Sequence, residues 1–144
     1  VLFVDIDHFK TFNDMFGHAC GDFCLRELAR VLKLTLSVDD FLGRYGGEEF
    51  VVILPGRPTE MARAVAEELR VAIEASELRW NDRALRLTVS IGVAPLRSEM
   101  PSLDWMIHEA DAALRAAKAD GRNCVRTLPF QPRRSGEAYP VSSR

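Results

Sequence analysis

Short apolar runs alternate with longer amphipathic stretches along this chain, a pattern typical of an α+β fold. Val1 to Ile6 is apolar on both faces, which predicts a central strand. Apolar residues then recur at helical spacing in four stretches, which predicts helices over about 8–16, 20–35, 59–75 and 103–119.

The expected helix boundaries come from local signals. Gly17-His18-Ala19 predicts a turn before the second helix, and Thr59 and Ser102 are suitable N-caps for the third and fourth. Gly121 is a suitable stop for the fourth helix. Met61 and Leu103 fall on the predicted inner faces of the third and fourth helices.

The remaining segments have strand character. The Gly46-Gly47 pair separates Asp39–Tyr45 from Glu48–Leu54 and predicts a tight hairpin, because glycine readily adopts positive φ. Leu85 to Val93 alternates apolar with polar or small residues, and Asn123–Leu128 resembles a short last strand. We therefore expect a mainly antiparallel sheet of about five strands flanked by helices.

Composition limits the class of protein. A chain of 144 residues with 47% hydrophobic residues fits one domain, which we expect over 1–128. A Pro-, Arg- and Ser-rich tail at 129–144 is predicted to be disordered. Because the chain opens inside an apolar strand, we expect it to be a fragment of a longer protein.

Charge and cysteine content exclude several functions. The net charge of −2 gives no electrostatic footprint for nucleic acid or a membrane surface. The three cysteines, Cys20, Cys24 and Cys124, do not complete a four-ligand zinc site and are expected to be reduced thiols in a cytoplasmic domain. No apolar run reaches the about 18 residues that span a bilayer.

Carboxylates stand where the strands end. Asp5 closes an apolar strand, and a buried unpaired carboxylate is costly. If the hairpin lies beside the first strand, Glu48 approaches Asp5, and hard oxygen ligands of this kind suit Mg²⁺ or Mn²⁺. Glu49 should point to the opposite face from Glu48. The alternatives are a helix-dipole contact for Asp5 and a solvated hairpin rim for the glutamates.

A phosphate site is predicted after the first strand. The helix beginning near His8 offers free backbone N–H groups in its first turn. Lys10 lies in that turn, where the dipole disfavours a cation unless an anion is bound. A solvated surface lysine is the alternative.

These motifs together resemble the GGDEF family of diguanylate cyclase domains, in its GGEEF form. The resemblance extends to about Thr127. It rests on Gly46-Gly47-Glu48-Glu49-Phe50 together with Asp5-Ile6-Asp7-His8-Phe9-Lys10, Asn13-Asp14, Phe16-Gly17-His18, Gly21-Asp22, Arg44-Tyr45, Ser90-Ile91-Gly92-Val93 and Ala117-Lys118-Ala119-Asp120-Gly121-Arg122-Asn123.

The resemblance implies a fold similar to nucleotide cyclase and polymerase palm domains, here without the family's N-terminal helix and turn. It implies metal contacts from the Asp5 side chain, the Ile6 carbonyl and Glu48. It implies substrate contacts from Phe9, Lys10, Asn13, His18, Asp22, Gly46, Gly47, Lys118 and Arg122.

Several of these positions also have structural interpretations. Lys118 and Arg122 could simply complement a helix C-terminus. Asp22 could be an N-cap or first-turn acid, and Asn13 a surface helix residue. As a pair they could read guanine, because a carboxylate accepts from N1–H and N2–H₂ and an amide reaches O6 or N3.

The implied reaction is condensation of two GTP molecules to cyclic di-GMP and two pyrophosphates, with Glu48 and Glu49 as catalytic residues. Each domain would bind one GTP, so activity would need a homodimer, and an upstream sensory or dimerisation domain is expected. The alternative is a catalytically weak signalling or interaction domain that responds to GTP or cyclic di-GMP.

One family feature is altered. Many members carry an Arg-x-x-Asp product-inhibition site, and here Asp40 matches the aspartate while Ser37 replaces the arginine. Serine cannot clamp a phosphate as arginine does. We therefore expect no strong product feedback through this surface.

Overall fold

The computed structural model describes residues 1–96 and 102–129. The predicted tail at 129–144 lies outside these ranges, apart from Pro129. The elements in chain order are β1 (Leu2–Ile6), α1 (Phe9–Phe16), α2 (His18–Thr35), β2 (Phe41–Gly46), β3 (Glu49–Ile53), α3 (Thr59–Glu74), β4 (Leu78–Trp80), β5 (Arg83–Leu85), β6 (Val89–Val93), α4 (Leu103–Ala119) and β7 (Val125–Thr127).

The main sheet has five strands in the order β2-β3-β1-β6-β7, so β1 is central and all five of its residues are buried. Three of its pairings are antiparallel, but β6 and β7 pair in parallel, with Ile91 opposite Val125. The mainly antiparallel prediction is therefore partly wrong, since the sheet is mixed. A helical crossover through α4 brings β7 back in the same direction as β6.

Helices cover both faces of this sheet. On one face, Leu28 of α2 and Leu69 of α3 belong to the same buried cluster as Val4. On the other face, Leu114 of α4 belongs to a smaller buried cluster with Phe3. The α+β layering expected from the sequence is confirmed.

The segment 85–93 is not one strand. Leu85 ends β5, which pairs with β4 in a separate two-stranded sheet, and β6 begins only at Val89. Asn81 and Asp82 both have positive φ (47° and 62°) and form the turn between β4 and β5. Asn and Asp tolerate this conformation, so the dipeptide was the missed turn signal.

Helix ends differ from the predictions by one or a few residues. Gly17 (φ 83°) alone separates α1 from α2, so the predicted turn through His18 and Ala19 is wrong. Pro58, not Thr59, is the N-cap of α3. The Ser102 cap is confirmed, because its hydroxyl accepts a hydrogen bond from the Trp105 N–H at 3.3 Å.

Two predicted inner-face residues lie outside the core. Met61 is 54% exposed and Leu103 is 47% exposed. Both lie in the first turn of their helices.

Candidate active site

Asp5 is the centre of a group of charged residues near the C-terminal end of β1, the central strand of the sheet. The strand register places Asp5 directly opposite Glu49, and Glu48 precedes Glu49 in the hairpin turn. Asp5 is only 4% exposed. Burial raises the pKa of its carboxyl to about 6, Lys118 opposes that rise, and the charges of Glu48 and Glu49 add to it.

Lys118 forms an ion pair with the buried carboxylate of Asp5. Its Nζ lies 2.8 Å from Asp5 Oδ2, although the two residues are far apart in sequence. Lys118 lies in the last turn of α4. It therefore occupies a helix C-terminus and also contacts the acidic group around Asp5. The contact supplies the partner that a buried carboxylate needs.

The hairpin turn differs from the predicted one. Its two turn residues are Gly47 and Glu48, because Gly46 still belongs to β2 and pairs with Glu49. Gly47 has a φ of 35°. Arg44 holds the turn closed, since its Nε and Nη2 donate to the Gly47 carbonyl at 2.9 and 2.6 Å. Glu48 is therefore presented on a braced turn, half-buried, beside Asp5.

Asp7 has a structural role that the sequence analysis did not identify. Its buried carboxylate accepts hydrogen bonds from Thr88 Oγ1 at 2.7 Å, Ser90 Oγ at 2.6 Å and the Asn123 N–H at 3.0 Å. Asn123 ends a left-handed run that includes Arg122 (φ 66°), a conformation that costs energy for non-glycine residues. Asp7 thus anchors the turn that carries Arg122 to the end of β1.

The start of α1 has the geometry of an anion site. His8, its N-cap, adopts the left-handed conformation (φ 57°) and makes no side-chain cap, so its first-turn N–H groups have no capping oxygen. Phe9 is buried and anchors the helix, whereas Lys10 is exposed beside it. This arrangement suits the predicted phosphate site.

Asn13 of α1 lies against Gly21 of α2, and Asp22 follows Gly21 in the chain. Asn13 Oδ1 is buried and has no hydrogen-bond partner among the described residues. Asp22 lies more than one turn inside α2, which rules out its N-cap and first-turn interpretations. His18 is exposed at the first position of α2.

Asp22 lines a cavity of about 540 Å³ between α2 and the β2–β3 hairpin. That volume is in the range of small-molecule sites. Asn13 does not line this cavity, so the two side chains predicted to read the base, Asn13 and Asp22, do not lie side by side in it. The lining residues are Asp22, Leu25, Arg26, Ala29, Leu42, Arg44 and Phe50.

The donor atoms fit a hard divalent cation shared with a phosphate ligand. Asp5 and Glu48 offer carboxylate oxygens, and Ile6, the last residue of β1, directly follows Asp5. Within residues 1–96 and 102–129, no three His, Cys, Asp or Glu side chains form a ready-made metal site. Mg²⁺ needs no such cage, because it usually takes one or two carboxylates, waters and substrate phosphates.

Burial disfavours the thiolate form of Cys20 and Cys24. Cys20 and Cys24 are free and buried, and burial raises the pKa of Cys24 to about 12. Of the helices in the described ranges, none combines the length and apolar character needed to cross a membrane.

Comparison with known proteins gives consistent matches. Residues 1–124 match the family described as "Diguanylate cyclase, GGDEF domain". "Diguanylate cyclase A" of Treponema denticola is 39% identical over 125 residues, which cover 87% of this chain and 34% of that protein. This chain therefore spans about a third of that relative's length.

Two solved structures resemble the fold closely. The GGDEF domain of DgcB from Caulobacter crescentus, solved in complex with c-di-GMP, is 37% identical with a TM-score of 0.83, covering 88% of this chain and 75% of that one. The active GGEEF domain of a diguanylate cyclase from Vibrio cholerae is 32% identical with a TM-score of 0.82, covering 90% of this chain and 82% of that one.

Proposed function

The chain belongs to the GGDEF domain family of diguanylate cyclases, and we propose that it condenses two GTP molecules into cyclic di-GMP and two pyrophosphates. We interpret its Gly46-Gly47-Glu48-Glu49-Phe50 segment as the GGEEF form of the family signature, and the similar domain from Vibrio cholerae is described as an active GGEEF domain.

The observation that carries the proposal is the register of β1 against β3. It brings Asp5, Glu48 and Glu49 together next to the free first-turn N–H groups of α1. Burial is the main cause of the raised pKa of Asp5, and the charges of Glu48 and Glu49 add to it. A bound cation would offset both the burial of this carboxylate and its repulsion by the glutamates.

Members of this family generally use a divalent metal ion, and we expect Mg²⁺ or Mn²⁺ here. Asp5, Glu48 and the Ile6 carbonyl would hold it. When bound, the metal supplies charge neutralisation at the reacting phosphate and lowers the pKa of the attacking hydroxyl. Glu48 is the residue best placed to accept that proton, and Glu49 supports the same turn.

The other residues bind and orient the substrate. The first turn of α1, with Phe9 and Lys10, would hold the triphosphate. Lys118 and Arg122 would add positive charge to the same phosphates. This role requires Lys118 to leave its contact with Asp5 when a metal ion replaces it.

The base would occupy the cavity beside Asp22. The carboxylate accepts from guanine N1–H and N2–H₂, whereas adenine would leave it unpaired. Asn13 would contribute through its Nδ2–H₂ group, which can donate to guanine O6 or N3 while Oδ1 stays against Gly21. His18, Gly46 and Gly47 complete the proposed substrate contacts, the glycines by allowing the backbone close to the ligand.

Two copies of the domain must face each other, because each supplies one GTP and the 3′-hydroxyl of one attacks the α-phosphorus of the other. Segments upstream of the domain would control how often the two copies meet in this orientation. A relative from Caulobacter crescentus has been solved with a coiled coil beside its GGDEF domain, which is one way to hold two copies together. We expect the domain to lie in the cytoplasm, where GTP is available.

Incubation of the chain with GTP and Mg²⁺, with products separated by chromatography, tests the function. We expect cyclic di-GMP and pyrophosphate in a ratio of about 1:2, at a rate that rises with the square of protein concentration when dimers are scarce. Unchanged GTP at high protein concentration with added metal would contradict the proposal.

A further inference from the structure

The cavity beside Asp22 contains two positively charged side chains in different situations. Arg44 already donates hydrogen bonds from Nε and Nη2 to the Gly47 carbonyl. The side chain of Arg26 makes neither a hydrogen bond nor an ion pair with the described residues, and the same holds for the side chain of Asp22. The cavity therefore presents one available carboxylate and one available guanidinium group, between apolar walls formed by Leu25 and Phe50 among others.

Asp22 and Arg26 are four residues apart on α2, so they lie on one face, one turn apart. Acidic residues and arginines four positions apart form ion pairs elsewhere in the chain: Arg70 contacts Glu74 at 2.7 Å, and Arg115 contacts Asp111. Asp22 and Arg26 do not pair in this way, although both line the same cavity. Their charged groups are thus left to meet a ligand with separate donor and acceptor edges.

Guanine is such a ligand. Its N1–H and N2–H₂ groups are donors, and its O6 and N7 atoms are adjacent acceptors that match the two-pronged geometry of a guanidinium group. Adenine carries a donor at the position of O6, so it would oppose Arg26 as well as Asp22.

We infer that Arg26 is a specificity-determining residue that donates to guanine O6 and N7 while Asp22 accepts from N1–H and N2–H₂ on the adjacent edge of the base. The inference rests on the proposed function, since it assigns Arg26 to the same GTP site. It extends base recognition to the acceptor edge, which Asp22 does not read.

The test compares binding of 2′,3′-dideoxy-GTP with that of its 7-deaza analogue, which lacks the N7 acceptor. Neither nucleotide has the 3′-hydroxyl needed for condensation, so calorimetric titration of the whole chain with Mg²⁺ measures binding alone. The variant is Arg26→Met, which keeps an unbranched apolar stem and removes the guanidinium group. The control is Arg30→Met, on the same helix, because Arg30 pairs with Glu27 at 2.9 Å and does not line the cavity.

For the wild type and Arg30→Met, removing N7 should weaken binding roughly tenfold, the lower end for a hydrogen bond to a charged group. Arg26→Met should bind dideoxy-GTP roughly tenfold or more weakly than the wild type and should no longer distinguish the two nucleotides. Unchanged melting of both variants would show that the fold is intact.

Two results would overturn the inference while leaving the proposed function standing. One is wild-type affinity in Arg26→Met. The other is a loss in Arg26→Met that retains the full effect of N7 removal, which would mean that Arg26 attracts only the phosphates. If the wild type bound dideoxy-GTP no better than dideoxy-ATP, guanine recognition would fail, and the proposed function would fail with it.

Discussion

Replacing Gly21 with alanine should weaken guanine nucleotide binding without harming the fold. Gly21 lies in α2 where it packs on α1, and a Cβ added there would overlap Asn13 Oδ1 and come within 3.2 Å of Phe9 Cζ. Both atoms are at the ends of side chains, so the Asn13 amide can rotate away. Gly21→Ala is therefore a specific way to displace Asn13.

The expected effect on stability is small. Alanine favours a helix interior by about 1 kcal/mol over glycine. Moving the Asn13 amide removes no hydrogen bond from its Oδ1, because that atom has no partner among the described residues. The free energy of unfolding should thus stay within about 1 kcal/mol of the wild-type value.

The expected effect on binding is larger. A net hydrogen bond contributes about 0.5–1.5 kcal/mol, so losing the Asn13 contact to the base should weaken GTP by roughly 2- to 10-fold. Calorimetric titration with GTP and thermal melting measure the two quantities separately.

Gly92→Ala is the matched control. There an added Cβ would overlap the Ala110 carbonyl and the Leu114 backbone N of α4, which cannot rotate away. Displacing α4 should lower stability by about 1–3 kcal/mol or more, with a clear fall in Tm. If Gly21→Ala bound GTP like the wild type, or melted as early as Gly92→Ala, the account of Asn13 would be wrong.

Three further predictions use other parts of the structure. Asp22→Ala should weaken GTP by roughly 10- to 100-fold and leave ATP unchanged in parallel titrations, and equal losses for both nucleotides would exclude base reading. Cyclic di-GMP should not bind tightly near Ser37, because Arg57 already contacts both carboxylate oxygens of Asp40 at 3.0 and 2.8 Å. Titration of cyclic di-GMP into metal-free protein checks this, and two stacked ligands bound near Ser37 would refute it. Ser37→Arg should strengthen the binding of cyclic di-GMP. The Asp5 carboxyl should titrate near pH 6 by NMR, above its ordinary pKa of 3.8. The contribution of Asp5 to the free energy of unfolding should therefore fall as pH rises between these two values, and an NMR midpoint below 4 would contradict the burial of this carboxyl.

The sequence alone predicted the parts of the site that depend on local pattern. An apolar strand ending in Asp5 and a glycine hairpin followed by Glu48 and Glu49 were enough to expect that the carboxylates converge. The β1–β3 pairing confirms that these two strands are neighbours. The turn position was wrong by one residue, because the Arg44 contact with the Gly47 carbonyl is invisible in a propensity pattern.

Contacts between distant residues could not be predicted. Lys118 reaches Asp5, and the Asn123 N–H reaches Asp7 across 116 positions, only after α4 has packed on the sheet. The same packing sets the parallel direction of β7, whose three residues give no sign of it. The β4–β5 hairpin was missed for a different reason, since its strands are too short to show alternation.

The central claim is that Glu48 holds a metal ion and assists condensation of GTP. The most direct test compares cyclic di-GMP production by wild type, Glu48→Gln and Glu68→Gln, a charge-matched control on the exposed face of α3. Glu48→Gln should produce none and melt at or slightly above the wild-type temperature, because one charge repelling Asp5 is removed. Glu68→Gln should match the wild type. If Glu48→Gln kept most of the wild-type rate, the assignment of the metal site would be wrong.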